Sequence, residues 1–276
     1  MRVIGFAGAG AFRAAAEPWL AAAERDNNLL ITAMVAAIQT KTPSRGWLVS
    51  SGEAPQLALF QTPSQYLLLS EGNAEGAGWA ATDVEADLPG VAGPVAVAEA
   101  FAERWSERAG CAATRNGEMT FFTAEYIAPF RRPSGSFRKA RADEFDDLHP
   151  LAVAAARDMN LPRPEQNSGT IAKGLKRAIA DGRQFVWEDG PSICAMASYV
   201  AALSHGGARI RGVYAPPEFR GSGYGTAVSG ALAEWLLGAG QWWVSLFADN
   251  ANPVSTGIYR RLGFQPWRVY LSVRFE

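Results

Sequence analysis

The sequence lacks an excess of charge of either sign: 26 lysines and arginines face 27 aspartates and glutamates, a formal net charge of −1 over 276 residues. Without a positive surplus there is no field to gather nucleic acid or an anionic membrane surface, and neither is expected as a partner. Cysteine is scarce as well. Cys111 and Cys194 are the only two, they lie far apart, and neither sits in a metal-ligand spacing. That argues against a disulfide framework or a cysteine metal centre and predicts reduced, structural thiols in a cytoplasmic protein that binds no metal. Cys194 lies in an apolar run and reads as core, not as a nucleophile. No uncharged apolar run reaches the roughly 18 residues that span a bilayer. The opening "MRVIGFAGAGAFRAAAE" resembles a leader only loosely, because Gly5, Gly8 and Gly10 dilute its apolar run and Arg13 and Glu17 end it. A folded globular composition is present instead, with 48% apolar residues and nine tryptophans, in a length that suits one large domain or two.

A junction is predicted in "FRRPSGSFRKARAD" (130–143), where Pro133, Ser134, Gly135 and Ser136 stand among five basic residues between ordered-looking regions. Splitting there gives 1–131 and 132–276. In the second part, Phe145, Leu148, Leu151, Ala152 and Ala155 recur at helical spacing, with Pro150 as a point of kinking or division. Ile171, Leu175, Ala178 and Ile179 predict a second helix, stopped by Gly182. Then the period changes. "RQFVWE", "SICAMASYVAA" and "ARIRGVY" read as strands of an antiparallel meander, joined through Asp189-Gly190 and "SHGG". "TAVSGALAEWLLGAG" has Val228, Ala231, Leu232, Trp235 and Leu236 on one helical face, "WWVSLFA" is a buried strand, and "NPVSTGIYRRLGF" is a helix with Asn252 as N-cap and Pro253 at N1. "VYLSVRFE" is a final alternating strand. Trp242 and Trp243 read as sheet packing and Trp187 as a hairpin residue.

The first part is less regular but carries an echo: "VAEAFAERW" from Val97 matches "VSGALAEWL" from Val228 at four of nine positions. "EMTFFTAEYI" then supplies a strand, as "WWVSLFA" does later. The segment before Val97, "DLPGVAGP", has neither arginine nor alternating glycines.

The chemistry concentrates in "PPEFRGSGYG" (216–225), where a strand feeds a glycine-rich turn that opens a helix. Free backbone N–H groups at the positive end of a helix dipole suit phosphate. A Walker loop is excluded, because Gly225 is followed by Thr226 with no lysine, and a Rossmann fingerprint fails because Gly221 and Gly223 are followed by Thr226 at the sixth position. "GAGAFR" (8–13) fails there too. What fits is Arg-x-x-Gly-x-Gly, through Arg220, Gly223 and Gly225.

With this loop, the element order around it, and "ANPVSTGIYRRLGF" with Asn252, Ser255, Tyr259, Gly263 and Phe264, the region from about Ser136 to Glu276 resembles the GNAT acyltransferase superfamily. The resemblance implies an α/β (α+β) fold, a mixed, mostly antiparallel sheet flanked by helices, with 1–131 as a degenerate related unit. It implies transfer of an acyl group, acetyl above all, from acetyl-CoA to an amine of a small molecule or protein. The backbone of Gly221, Ser222, Gly223, Tyr224, Gly225 and Thr226 would cradle the pyrophosphate, with Arg220 closing the turn or pairing with a phosphate. Val213 and Tyr214 would pair with pantetheine amides, and Asn252 would contact that arm or cap its helix. Tyr259 would be the general acid for the departing thiolate. Glu218, Asp249, His149 and His205 are available as bases, and none is singled out. A silent acyl-CoA sensor is the alternative, and the sequence leaves a homodimer open.

Overall fold

The computed structural model describes residues 1–159, 166–201 and 206–276. One order of elements occurs twice among them. The first half gives β1 (Arg2–Ala7), α1 (Ala9–Ala22), α2 (Asn28–Thr40), β2 (Arg45–Ser51), β3 (Ala54–Gln61), β4 (Leu67–Leu69), α3 (Ala74–Asp83), β5 (Gly90–Pro94), α4 (Val95–Ala109) and β6 (Ala113–Ala124). The second repeats it with β7 (Ser136–Lys139), α5 (Phe145–Asp158), α6 (Ser168–Ala180), β8 (Gln184–Asp189), β9 (Ser192–Ala201), β10 (Gly207–Tyr214), α7 (Tyr224–Gly238), β11 (Trp243–Asp249), α8 (Pro253–Arg261) and β12 (Gln265–Phe275).

All strands join one mixed, mostly antiparallel sheet in the order β1-β2-β3-β4-β5-β12-β6-β11-β10-β9-β8-β7. With β1 equivalent to β7, and so on to β6 and β12, that order reads as a palindrome about its centre. The last strand of each half is exchanged: β12 lies against β5 of the first half, and β6 lies against β11 of the second. β6 and β12 pair with each other along most of their length. A connection at 125–135 therefore separates two halves in sequence that are laced together in space.

The sequence of β6 explains its central place. Phe121 and Phe122 point to opposite faces, as successive strand residues must, and both are fully buried. Phe122 enters a core with α7, β11, Tyr259 and Phe264. Phe121 joins Trp243 and Tyr270 on the other face, beneath Leu29 of α2. The strand is buried on both faces from Thr120 to Ala124, where two threonines flank the phenylalanine pair.

The meander, the helix caps and the glycine stops lie where the residue pattern predicts. Asp189-Gly190 turns the β8–β9 hairpin, with Gly190 at φ +56°. Ser204 and His205 of "SHGG" lie outside the described residues, and Gly207 opens β10. Pro150 sits within a continuous α5, in its second turn. Two expectations are corrected. The echo between "VAEAFAERW" and "VSGALAEWL" pairs α4 with α7, whereas the topology makes α3 the counterpart of α7 and α4 that of α8. Trp242 is 74% exposed and does not pack on the sheet, while Trp243 beside it is buried.

Candidate active site

The site begins as a failure of two strands to stay together. β10 and β11 run parallel and pair only at Gly207–Trp243, Ala208–Val244 and Arg209–Ser245. Beyond that point β11 continues against β6 as far as Asp249, while β10 bulges between Arg211 and Tyr214, with Gly212 at φ +59°. Among the described residues, the β10 edge from Ile210 to Tyr214 has no strand partner on the β11 side. The two strands thus enclose a slot lined on one edge by backbone groups that need hydrogen bonds. In the first half the equivalent strands stay in contact to the end of the short β4. β4 and β5 pair at Leu67–Val91 and Leu68–Ala92, and Gly93 packs so closely on Leu69 that a Cβ there would fall 2.8 Å from the leucine Cβ.

The glycine loop follows directly from the end of β10 at which this slot opens. After a single 3₁₀ turn at Pro217–Phe219, Gly221 (φ +79°) and Gly223 (φ +90°) adopt conformations that L side chains resist. α7 starts at Tyr224, and its N-terminus has no side-chain cap. Its first N–H groups are therefore left for another partner. Positions where a Cβ would project from Gly221, Gly223 and Gly225 meet nothing within 4 Å. The α3 terminus contrasts with this: Asn73 accepts from the Glu75 N–H at 2.8 Å, and the Glu75 carboxylate adds negative charge to the first turn. Tyr224 is pinned by its hydroxyl, which donates to Asp189 Oδ2 at 2.6 Å. Ser134 first, and then Tyr224, hold the Asp189 carboxyl below the usual range by hydrogen bonding.

Arg220 is engaged within the protein. Its Nε donates to the Ala215 carbonyl at 3.1 Å, closing the turn, and its Nη2 donates to Asp158 Oδ2 at 2.6 Å. Of the two expected roles, the described contacts display turn closure. Val213 packs toward the core beneath α7, whereas Tyr214 faces α5 and α6. Asn252 caps α8, accepting from the Ser255 N–H at 3.2 Å. Tyr259, on α8, lies against Phe122 and Phe264, 7% exposed, on the side of the sheet that α7 covers. Its hydroxyl finds no hydrogen-bond partner among the described residues, and burial pushes its pKa up to about 12.

The base candidates are less prominent. Asp249 accepts from the Ala251 N–H and so holds a turn, Glu218 is exposed on the loop, and His149 stacks on Phe145 and lies 3.2 Å from the Ser168 hydroxyl. His205 lies outside the described residues. Trp187 is core, its Nε1 donating to the Ser134 carbonyl. Cys194 is buried, and desolvation raises its thiol pKa. Among the described residues no three His, Cys, Asp or Glu side chains group as metal ligands, and no helix is long and apolar enough to cross a membrane. Residue reasoning missed Asp158. Its only sequence signal is an acid at the end of a helix, which has no visible relation to a loop some sixty residues later.

The arrangement has relatives. The model of the Acetyltransferase (GNAT) family matches residues 148–264. Among solved structures, a GNAT-family acetyltransferase from Colwellia psychrerythraea superposes with a TM-score of 0.64 at 10% identity, covering 100% of this chain and 99% of that one. A Drosophila protein gives a TM-score of 0.68 at 11% identity over 99% and 98% of the chains. A tandem GNAT protein from the clavulanic acid biosynthesis pathway gives 0.57 at 13% identity over 99% and 98%. No curated protein matches the sequence. Identities this low speak to the fold alone, and they extend it over the first half, which the family model does not reach. Residues 148–264 thus match the model of the GNAT acetyltransferase family, within a chain that folds as two GNAT-like units.

Proposed function

We propose that the chain is an acyl-CoA-dependent N-acyltransferase that moves acetyl from acetyl-CoA to an amine, with the chemistry confined to the second half. The observation that carries this reading is a coincidence of two vacancies. The slot between β10 and β11 and the uncapped, glycine-lined start of α7 adjoin each other in the second half, whereas in the first half the counterpart strands stay in contact and the counterpart helix is capped.

In this reading the N–H groups from Gly221 to Thr226 bind the pyrophosphate, and the helix dipole adds to their attraction. The unpaired β10 edge at Val213 and Tyr214 bonds pantetheine as a neighbouring strand would. Asn252 acts through α8, which it caps and which carries Tyr259. An amine nitrogen attacks the thioester carbonyl carbon, and the tetrahedral intermediate collapses with cleavage of the C–S bond. The amine proton leaves to solvent or a base, and the thiolate takes a proton from Tyr259. With a pKa pushed up to about 12, that phenol is fully protonated at neutral pH, and the same burial makes it a weaker acid than a free tyrosine.

The division of labour follows residues 1–131 and 132–276. The first part supplies no acyl-CoA site and covers the sheet face opposite α7. Support comes from its α1–α2 turn. The Arg25 guanidinium lies over Trp243 and Trp267, and Asp26 pairs with Arg268 and accepts from Trp267 Nε1.

The test is thiol release from acetyl-CoA across a panel of amines. Tyr259→Phe is expected to lower kcat by about a hundredfold or more, the usual scale for a positioned acid, with the acetyl-CoA KM nearly unchanged. Full activity in that variant would remove Tyr259 from the mechanism. Acetyl-CoA binding without turnover on any amine would identify a silent sensor.

A further inference from the structure

Arg220 reaches from the glycine loop around the end of β10 to the opposite face of the sheet, where α5 lies. Its Nη2 bonds the Oδ2 of Asp158, the last residue of α5, at 2.6 Å, and the same carboxylate oxygen accepts from the Tyr214 hydroxyl at 3.3 Å. The guanidinium also lies over the Tyr214 ring, 5.5 Å from its centroid, and Nε holds the Ala215 carbonyl. Two groups, one from the free end of β10 and one from the loop after it, therefore converge on one carboxylate of a different element.

The position of this contact is informative. Beyond Arg209, β10 has lost β11 as a neighbour, so its end is held by β9 on one side only, through a register that is itself broken before Tyr214. A strand end held in that way can drift toward the slot or away from it. The carboxylate ties it to α5, whose Leu148 shares a buried cluster with Met196 of β9 and Tyr214 of β10.

We propose that Asp158 is a positioning residue for acyl-CoA: its bonds to Arg220 and Tyr214 fix the outer wall of the slot and the loop above it before the ligand arrives. This rests on the acyl-CoA reading of the slot. The pair is substantially exposed, with side-chain accessibilities of 42% for Asp158 and 51% for Arg220. Exposed ion pairs contribute little to global stability, so the function assigned here is preorganisation, which lowers the ordering cost of binding. Arg220 also keeps the Asp158 carboxyl below the usual range, so the contact persists at neutral pH.

The experiment is calorimetric titration of the full chain with acetyl-CoA, paired with steady-state kinetics, for wild type, Asp158→Asn, Asp158→Glu, Arg220→Ala and the Asp158→Asn/Arg220→Ala double variant. Asp158→Asn is expected to weaken acetyl-CoA binding about tenfold, the scale of one charge-assisted bond. Its acetyl-CoA KM should rise in parallel, with the acceptor KM, kcat at saturation and the melting temperature unchanged. Asp158→Glu should recover part of the loss. In the Arg220→Ala background the same change should cost less than about twofold, since the bond it acts through is already gone. Unaltered affinity in Asp158→Asn, or a full tenfold loss that persists without Arg220, would overturn the proposal. Failure of the wild type to bind acetyl-CoA would overturn the reading beneath it.

Discussion

Single residues divide here by whether their side chain or its absence matters. Gly223 needs its positive φ, so a substitution there mixes backbone strain with steric block. Gly225 is cleaner. It is the second residue of α7, has no positive φ, and a Cβ on it would project into open space. A side chain at 225 tests what occupies that space without disturbing the loop. Tyr259 is a different case, because a phenol with its pKa raised by burial ties the fold to high pH. The unfolded chain ionises its tyrosines near pH 10, whereas folded Tyr259 holds its proton to about 12 and Tyr270 is also raised by burial. Below pH 10 both states are neutral and stability is full. Between 10 and 12 the unfolded state alone gains charge, and stability falls as pH rises. Urea midpoints measured from pH 9 to 11.5 should drop more steeply in wild type than in Tyr259→Phe. Parallel curves would mean that the hydroxyl is less buried than described.

At the scale of elements, what was legible in the sequence was local. Asp189-Gly190, the Asn252-Pro253 start of α8 and the Arg-x-x-Gly-x-Gly loop each dictate their own backbone, because turn, cap and positive φ are short-range constraints. The misplaced echo shows the opposite limit. α4 and α7 look alike because both are alanine-rich helices beside a sheet. True equivalence lay in the order of elements, and the short α3 concealed it. Nor could strand periodicity show that β6 crosses to β11, since alternation and apolar runs specify a face and not a neighbour. The clasp on Arg220 was hidden for the same reason. Trp242 misled because an aromatic beside a strand packs inward more often than not, yet Trp242 lies just before β11 begins.

For the molecule as a whole, strand exchange means that neither half is complete. A fragment of residues 132–276 would lack β6, leaving β11 and β12 with unpaired edges and removing Phe122 and Ala124 from the core that holds α7 and α8. Exposed edges and a depleted core favour aggregation. The 132–276 fragment should therefore show no cooperative thermal transition by circular dichroism, and co-expression with 1–131 should restore one. Cooperative unfolding of 132–276 alone would show that the exchange is dispensable. The central claim is that one half of a duplicated fold keeps an acyl-CoA site and the other has lost it. Calorimetric titration of the full chain with acetyl-CoA, wild type against Gly225→Leu, tests this most directly. The account predicts one molecule bound per wild-type chain and none by Gly225→Leu at the same melting temperature. Two molecules per chain, none, or undiminished binding by Gly225→Leu would contradict it.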